Sequence, residues 1–174
     1  MIVVCPLSKA QSLIAAKGVR EVVSMLAPGT PMQPFSGLRP GRHLKLDFHD
    51  IVQPAEGLIP PGPGAAIQLL RFLEEWDDAN PLLIHCWAGI SRSTAAAFVA
   101  TCVFSPGADE EALALNLRVA SPSATPNRLI VQLADAELGR GGRMVRAVEK
   151  IGRGAEAFEG IPFTLQAKQV RTQA

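Results

Sequence analysis

The chain has 174 residues, of which 48% are apolar and 19% charged, with a net charge of +1. That length suits one domain with a sizeable core of its own, and that composition excludes disorder for most of the chain. Charge this close to zero argues against a general electrostatic binder of nucleic acid. The longest strongly apolar stretch, Thr94 to Phe104, is about half the ~20 residues that a membrane-spanning helix needs. The opening Met-Ile-Val-Val-Cys-Pro has neither a basic n-region nor a cleavage pattern and is not read as a signal peptide. Three cysteines, Cys5, Cys86 and Cys102, do not make a disulfide framework, so the expectation is a cytoplasmic protein with no membrane partner and a usable thiol.

Met1 to Cys5 reads as a short strand ended by Pro6, and Ser8 to Lys17 as a helix, with Ser8 as its N-cap and Gly18 as its stop. Val19 to Leu26 reads as a second strand, and the proline- and glycine-rich stretch Thr30 to Arg42 as loop. Leu44, Leu46 and Phe48 alternate with Lys45, Asp47 and His49, the period of a strand with one buried face, and Asp50 falls at its end. A long connection leads to an amphipathic helix over Ala65 to Trp76. Leu82 to His85 is a buried parallel strand by its continuous apolar character. Helices follow at Ser93 to about Phe104, at Asp109 to Val119 with Asp109 as cap, and at Asn127 to Leu138. Strands alternating with helices predict an α/β fold, a mostly parallel central sheet flanked by helices. The reading places one domain at 1–140. Beyond it, 141–174 is expected to be an extension, partly helical (Met144 to Ile151) or flexible, and poorly packed.

The stretch that carries chemistry is Leu82-Leu83-Ile84-His85-Cys86-Trp87-Ala88-Gly89-Ile90-Ser91-Arg92-Ser93. It is a strand, a tight loop and a helix N-terminus. Such a junction gathers backbone N–H groups into one concavity, backed by the positive end of the helix dipole. Gly89 lets the loop turn, and Arg92 closes it with a planar fork able to hold two phosphate oxygens at once. The same field favours a thiolate at Cys86. One loop thus supplies a nucleophile and an anion cradle, with Trp87, Ala88, Gly89, Ile90, Ser91 and Arg92 as the phosphate-binding residues.

His-Cys, five residues, then Arg-Ser resembles the signature of the protein tyrosine phosphatase superfamily, in its small dual-specificity-like branch and of bacterial type. The resemblance implies a fold of the cysteine-phosphatase type and a phosphocysteine intermediate on Cys86. It makes Arg92 the ligand of the phosphoryl oxygens, Ser93 the hydroxyl that assists release of the thiolate, and His85 the organiser of the loop. The family places a general-acid aspartate at a strand end upstream of the cysteine; Asp50, 36 positions before Cys86, fits that place, with Asp47 as runner-up. Pro126-Asn127 with Gln132-Leu133 is similar to a helix start found late in the small members, so the resemblance covers roughly residues 1–138. The tryptophan-proline-aspartate of the large enzymes is missing, and no lysine stands at loop positions 87, 88, 90 or 91, which puts inositol phospholipids in doubt.

The implied reaction is hydrolysis of a phosphomonoester on a phosphorylated protein, phosphotyrosine or dual-specificity, or on a small phosphoester metabolite. It requires no cofactor and no metal, and the histidines and cysteines show no ligand spacing. The competing readings are a catalytically silent phosphate-recognition module and a rhodanese-like enzyme. Cys5 and Cys102 read as core residues, with a disulfide to oxidised Cys86 as the other possibility. His49 reads as a surface side chain, Asn127 as a helix cap or a water-orienting residue, and Trp87 as pocket floor or packing beneath the loop.

Overall fold

A computed structural model describes residues 1–168. Among them, five strands make one sheet: β1 (Ile2–Pro6), β2 (Glu21–Leu26), β3 (His43–Asp47), β4 (Leu82–Cys86) and β5 (Phe163–Leu165). The order across the sheet is β3-β2-β4-β1-β5, and every neighbouring pair is parallel except β1 with β5. The helices are α1 (Leu7–Lys17), α2 (Pro63–Glu74), α3 (Arg92–Phe104), α4 (Glu110–Ala120), α5 (Arg128–Glu137) and α6 (Arg143–Ile151).

β1, β2 and β4 are buried along their whole length, as parallel strands covered on both faces must be. Val3, Cys5, Val22 and Leu83 turn toward α1 on one face, and Ile2, Val4, Val23, Met25, Ile84 and Cys86 turn toward the larger helical layer on the other. α3 runs through that layer, with Ala95, Ala96, Ala97 and Ala100 letting it lie close against its neighbours and no exposure at any of them. The helix after β1 therefore covers one face and the helix after β4 the opposite face. In an open α/β sheet, that reversal leaves a crevice at the carboxyl ends of the two strands. Cys86 is the last residue of β4 and lies in that crevice.

Several boundaries shift from the expectation. α1 starts at Leu7 behind Pro6, and Ser8 does not cap it; the Ser8 hydroxyl instead donates to Glu159. Gly18 ends α1 in the left-handed conformation as expected. α2 starts two residues early because Pro63 is suited to a first-turn position.

The larger correction concerns the segment after Gly139. The poorly packed appendage expected there is built into the core: Met144 and Ala147 are fully buried. The Asp135 carboxylate accepts from the backbone N–H groups of Gly142 and Met144, which ties the start of α6 to α5. β5 then closes the sheet edge against β1. No helix among the described residues is long and apolar enough to cross a membrane.

Candidate active site

The loop from Trp87 to Ser91 is held from outside by its carbonyls. Leu7 N–H donates to Trp87 O at 3.1 Å, Gly160 N–H to Ala88 O at 2.8 Å and Thr125 N–H to Ile90 O at 2.9 Å. Ser91 O accepts from Ala95 N–H at 3.0 Å and Asn127 N–H at 3.3 Å. A trans peptide that turns its carbonyl outward turns the next N–H inward, so Ala88, Gly89, Ser91 and Arg92 aim their N–H groups into the concavity. The Gly89 N–H already does so, donating to Cys86 Sγ at 3.2 Å. Gly89 has φ +71°, and a Cβ there would lie 2.6 Å from Pro6 N. Gly160 packs as closely from the other side, since its Cβ would meet Gly89 O at 2.8 Å. The loop is clamped between the end of β1 and the irregular segment leading into β5.

Cys86 is buried, and its sulfur lies 3.3 Å from Ser93 Oγ on the first turn of α3. Arg92 is only 6% exposed. One of its terminal nitrogens donates to Phe48 O at 2.9 Å, while its buried Nε has no hydrogen-bond partner and stands 3.9 Å from Asp50 Oδ2. Asp50, past the end of β3, receives two bonds on a single oxygen: Ser91 Oγ–H donates to Oδ1 at 2.8 Å and Asn127 Nδ2–H at 2.7 Å. Oδ2 is left facing the guanidinium. Asn127 also caps α5, its Oδ1 accepting from Leu129 and Ile130 N–H, so one side chain fixes a helix and a carboxylate together. An open cavity of about 610 Å³, lined by Asp50, Val52, Ser91, Thr125, Asn127 and Arg128 among others, adjoins this centre.

No protein-family model matches the chain, and no curated protein matches it in sequence. Solved structures do. The Cydia pomonella PTP-2 phosphatase is similar with a TM-score of 0.58 at 20% identity, over 78% of this chain and 84% of its own. DUSP15 is similar with 0.58 at 18% identity, over 86% and 90%. A human tyrosine phosphatase-like serine/threonine/tyrosine-interacting protein reaches 0.61 at 18% identity, over 80% and 92%. This chain has the dual-specificity phosphatase fold.

Within that fold, Cys86, Arg92, Ser93 and Asp50 come together, along with the loop backbone between them. Asp47 turns away, into a separate cavity of about 210 Å³ shared with Ser24 and Lys45. Trp87 neither floors the pocket nor packs beneath the loop; its side chain is 57% exposed at the rim. His49 does more than cover the surface, since its Nδ1 accepts from Ile59 N–H and its backbone N–H donates to Ile59 O, gathering the segment that carries Asp50. Cys5 and Cys102 are buried, and burial pushes each thiol up to about 12, so both stay protonated at neutral pH. His85 is fully buried, and loss of hydration draws its pKa down to about 4. Ser91 and Asn127 as anchors of Asp50 are absent from the sequence reading. Serine and asparagine at a loop and a helix cap are too common to signal a bond across 41 or 77 residues.

Proposed function

We propose that the chain is a member of the protein tyrosine phosphatase superfamily that hydrolyses phosphomonoesters through a phosphocysteine at Cys86, acting on tyrosine-phosphorylated or dual-specificity protein substrates. The observation that carries this reading is the open edge of Arg92. A buried guanidinium nitrogen without a partner costs free energy unless a ligand completes it. A phosphoryl group seated on the inward N–H groups would supply two oxygens to that edge in the bidentate manner.

The chemistry then follows from the atoms at hand. The Cys86 thiolate attacks phosphorus in line, and the bond from phosphorus to the ester oxygen breaks. Arg92 and the loop N–H groups hold the equatorial oxygens; preorganised donors of this kind are usually the largest single contribution. Asp50 gives the proton on Oδ2 to the leaving oxygen, with Oδ1 kept still by Ser91 and Asn127. In the second step Asp50 takes a proton from water, the water oxygen bonds to phosphorus, and the sulfur leaves as a thiolate that Ser93 Oγ–H stabilises. Inorganic phosphate is the product.

Hydrolysis of p-nitrophenyl phosphate by the purified protein, with vanadate as competitor, tests the reading. Activity that vanadate blocks and Cys86→Ser abolishes is expected. Vanadate binding without hydrolysis would identify a silent phosphate-recognition module, and undiminished hydrolysis by Cys86→Ser would overturn the mechanism.

A further inference from the structure

Beneath the loop lies a chain of hydrogen bonds that the reaction as described does not use. Ser24, buried on β2, places its Oγ 2.5 Å from His85 Nε2 and 2.7 Å from His43 Nε2. The far ring nitrogen of His85, Nδ1, lies 3.4 Å from Cys86 O. Phe35, from the loop between β2 and β3, lies against both imidazoles, at 5.3 Å from His43 and 5.4 Å from His85 between ring centroids. It holds the two rings in place over Ser24.

Counting protons settles the direction of this chain. Burial is the main cause that draws both imidazoles down to about 4, so near neutral pH each is uncharged and carries one N–H. Ser24 has one hydroxyl proton and two nitrogens to face, so one of those nitrogens must itself donate. If His85 donated through Nε2, its bare Nδ1 would point a lone pair at the Cys86 carbonyl, which is a repulsive contact. If His43 donates, the Ser24 hydroxyl is free to donate to His85 Nε2. The His85 proton then sits on Nδ1, where the carbonyl of Cys86 can accept it. Only the second arrangement satisfies every group.

Resting on the phosphatase reading above, we infer that His43 and Ser24 are positioning residues for catalysis: His43 Nε2–H donates to Ser24, Ser24 Oγ–H donates to His85, and His85 Nδ1–H holds the Cys86 carbonyl. The peptide so held joins Cys86 to Trp87. With its carbonyl fixed, the Trp87 N–H is turned into the anion seat together with the four N–H groups whose peptides are held from outside. Removing the His43 donor leaves Ser24 Oγ an open acceptor. The Ser24 hydroxyl then loses the bond that aims it and its hold on His85 Nε2 loosens, while the His85 proton stays on Nδ1, because moving it would set a bare lone pair against the Cys86 carbonyl. His43 is half-buried on an edge strand and bonds to Ser24, so its effect reaches the reaction through Ser24 and His85.

Nitrogen NMR of the imidazole-labelled protein at pH 7 reads those tautomers directly. The wild type is expected to show His85 protonated on Nδ1 and His43 on Nε2. His43→Leu is expected to keep the His85 proton on Nδ1 but to shift the nitrogen resonances of that ring as the Ser24 bond loosens, and to lower kcat for p-nitrophenyl phosphate about tenfold, the scale of one lost hydrogen bond, with KM little changed. His43→Gln, whose side-chain amide can still donate, should restore both. A wild-type His85 protonated on Nε2 overturns the inference, and this measurement needs no variant to fold. A His43→Leu protein whose His85 resonances are unmoved, or whose kcat is unchanged, overturns it as well. The tautomers are read without turnover, so a protein inactive on every phosphoester would sink the phosphatase reading while leaving the relay to be judged separately.

Discussion

Arg92 and Arg140 are nearly equally hidden, at 6% and 9% exposure, yet they are left in opposite chemical states. Arg140 is completed by the protein: it pairs with Glu110 at 2.9 Å and donates to the carbonyls of Cys102 and Pro106. Arg92 is held at one corner by Phe48 O, while its Nε is buried with no partner. A buried cation that is fully answered is part of the architecture; one answered only in part is a receptor. The same contrast holds for the cysteines. Cys102 is a buried apolar residue of α3, whereas the Cys86 sulfur accepts from the Gly89 N–H and sits beside Ser93 Oγ.

The contrast breaks most visibly by exchanging the fork of Arg92 for a point charge. Arg92→Lys should lower kcat about 10²–10³-fold, the usual cost of losing a preorganised donor, because lysine cannot answer two oxygens from one plane. Its melting temperature should stay close to that of the wild type. Steady-state kinetics beside calorimetry would show whether the two effects separate. Arg140→Met should do the reverse. Arg143 still donates to Glu110 Oε1 at 3.1 Å, so losing the Arg140 bonds should cost about 2 kcal/mol of stability, read by denaturant unfolding, with kcat of the folded protein unchanged.

Asn127 straddles the two cases, being at once a helix cap and an anchor of Asp50. Asn127→Ala should lose about 1 kcal/mol of stability from the cap and also lower kcat. Asn127→Ser keeps an oxygen for the cap while removing the amide that reaches Asp50, so stability should hold and kcat should still fall. If both variants keep full kcat, the anchoring of Asp50 is not part of the chemistry.

The last expected effect is on pH dependence. His43 and His85 have folded pKa values of about 4, below the usual 6.5. The unfolded chain therefore binds protons that the folded chain refuses. Stability is fully present above pH ~6.5 and declines as the pH falls through that value toward about 4. Denaturant midpoints measured across that window should drop with acid, and a flat profile would show that the two rings are not held neutral.

What the sequence made legible follows from distance along the chain. The nucleophile, the cradle and the arginine lie within one loop, so the local demands of a strand, a sharp turn and a helix start leave a contiguous signature. Asp50 was readable from the alternation of Leu44, Leu46 and Phe48, because a strand imposes a period that a sequence displays. The parts that close the site left no such trace. Gly160 clamps the loop from 71 residues away, in a glycine- and charge-rich stretch whose composition reads as loose chain. β5 has three residues, too few to show a period. Nothing near Arg140 in the sequence marks it as buried, because its partner Glu110 lies 30 positions earlier. Burial of a charge depends on that partner, which a local window does not contain.

A covalent bond between Cys86 and phosphorus is the step on which the proposed catalysis turns. Asp50→Ala should hydrolyse that intermediate slowly enough for it to accumulate with p-nitrophenyl phosphate. Rapid acid quench followed by phosphorus NMR and peptide mass spectrometry should then find one phosphoryl group on Cys86. Continued hydrolysis with no protein-bound phosphate, or a phosphoryl group on any other residue, would contradict the mechanism.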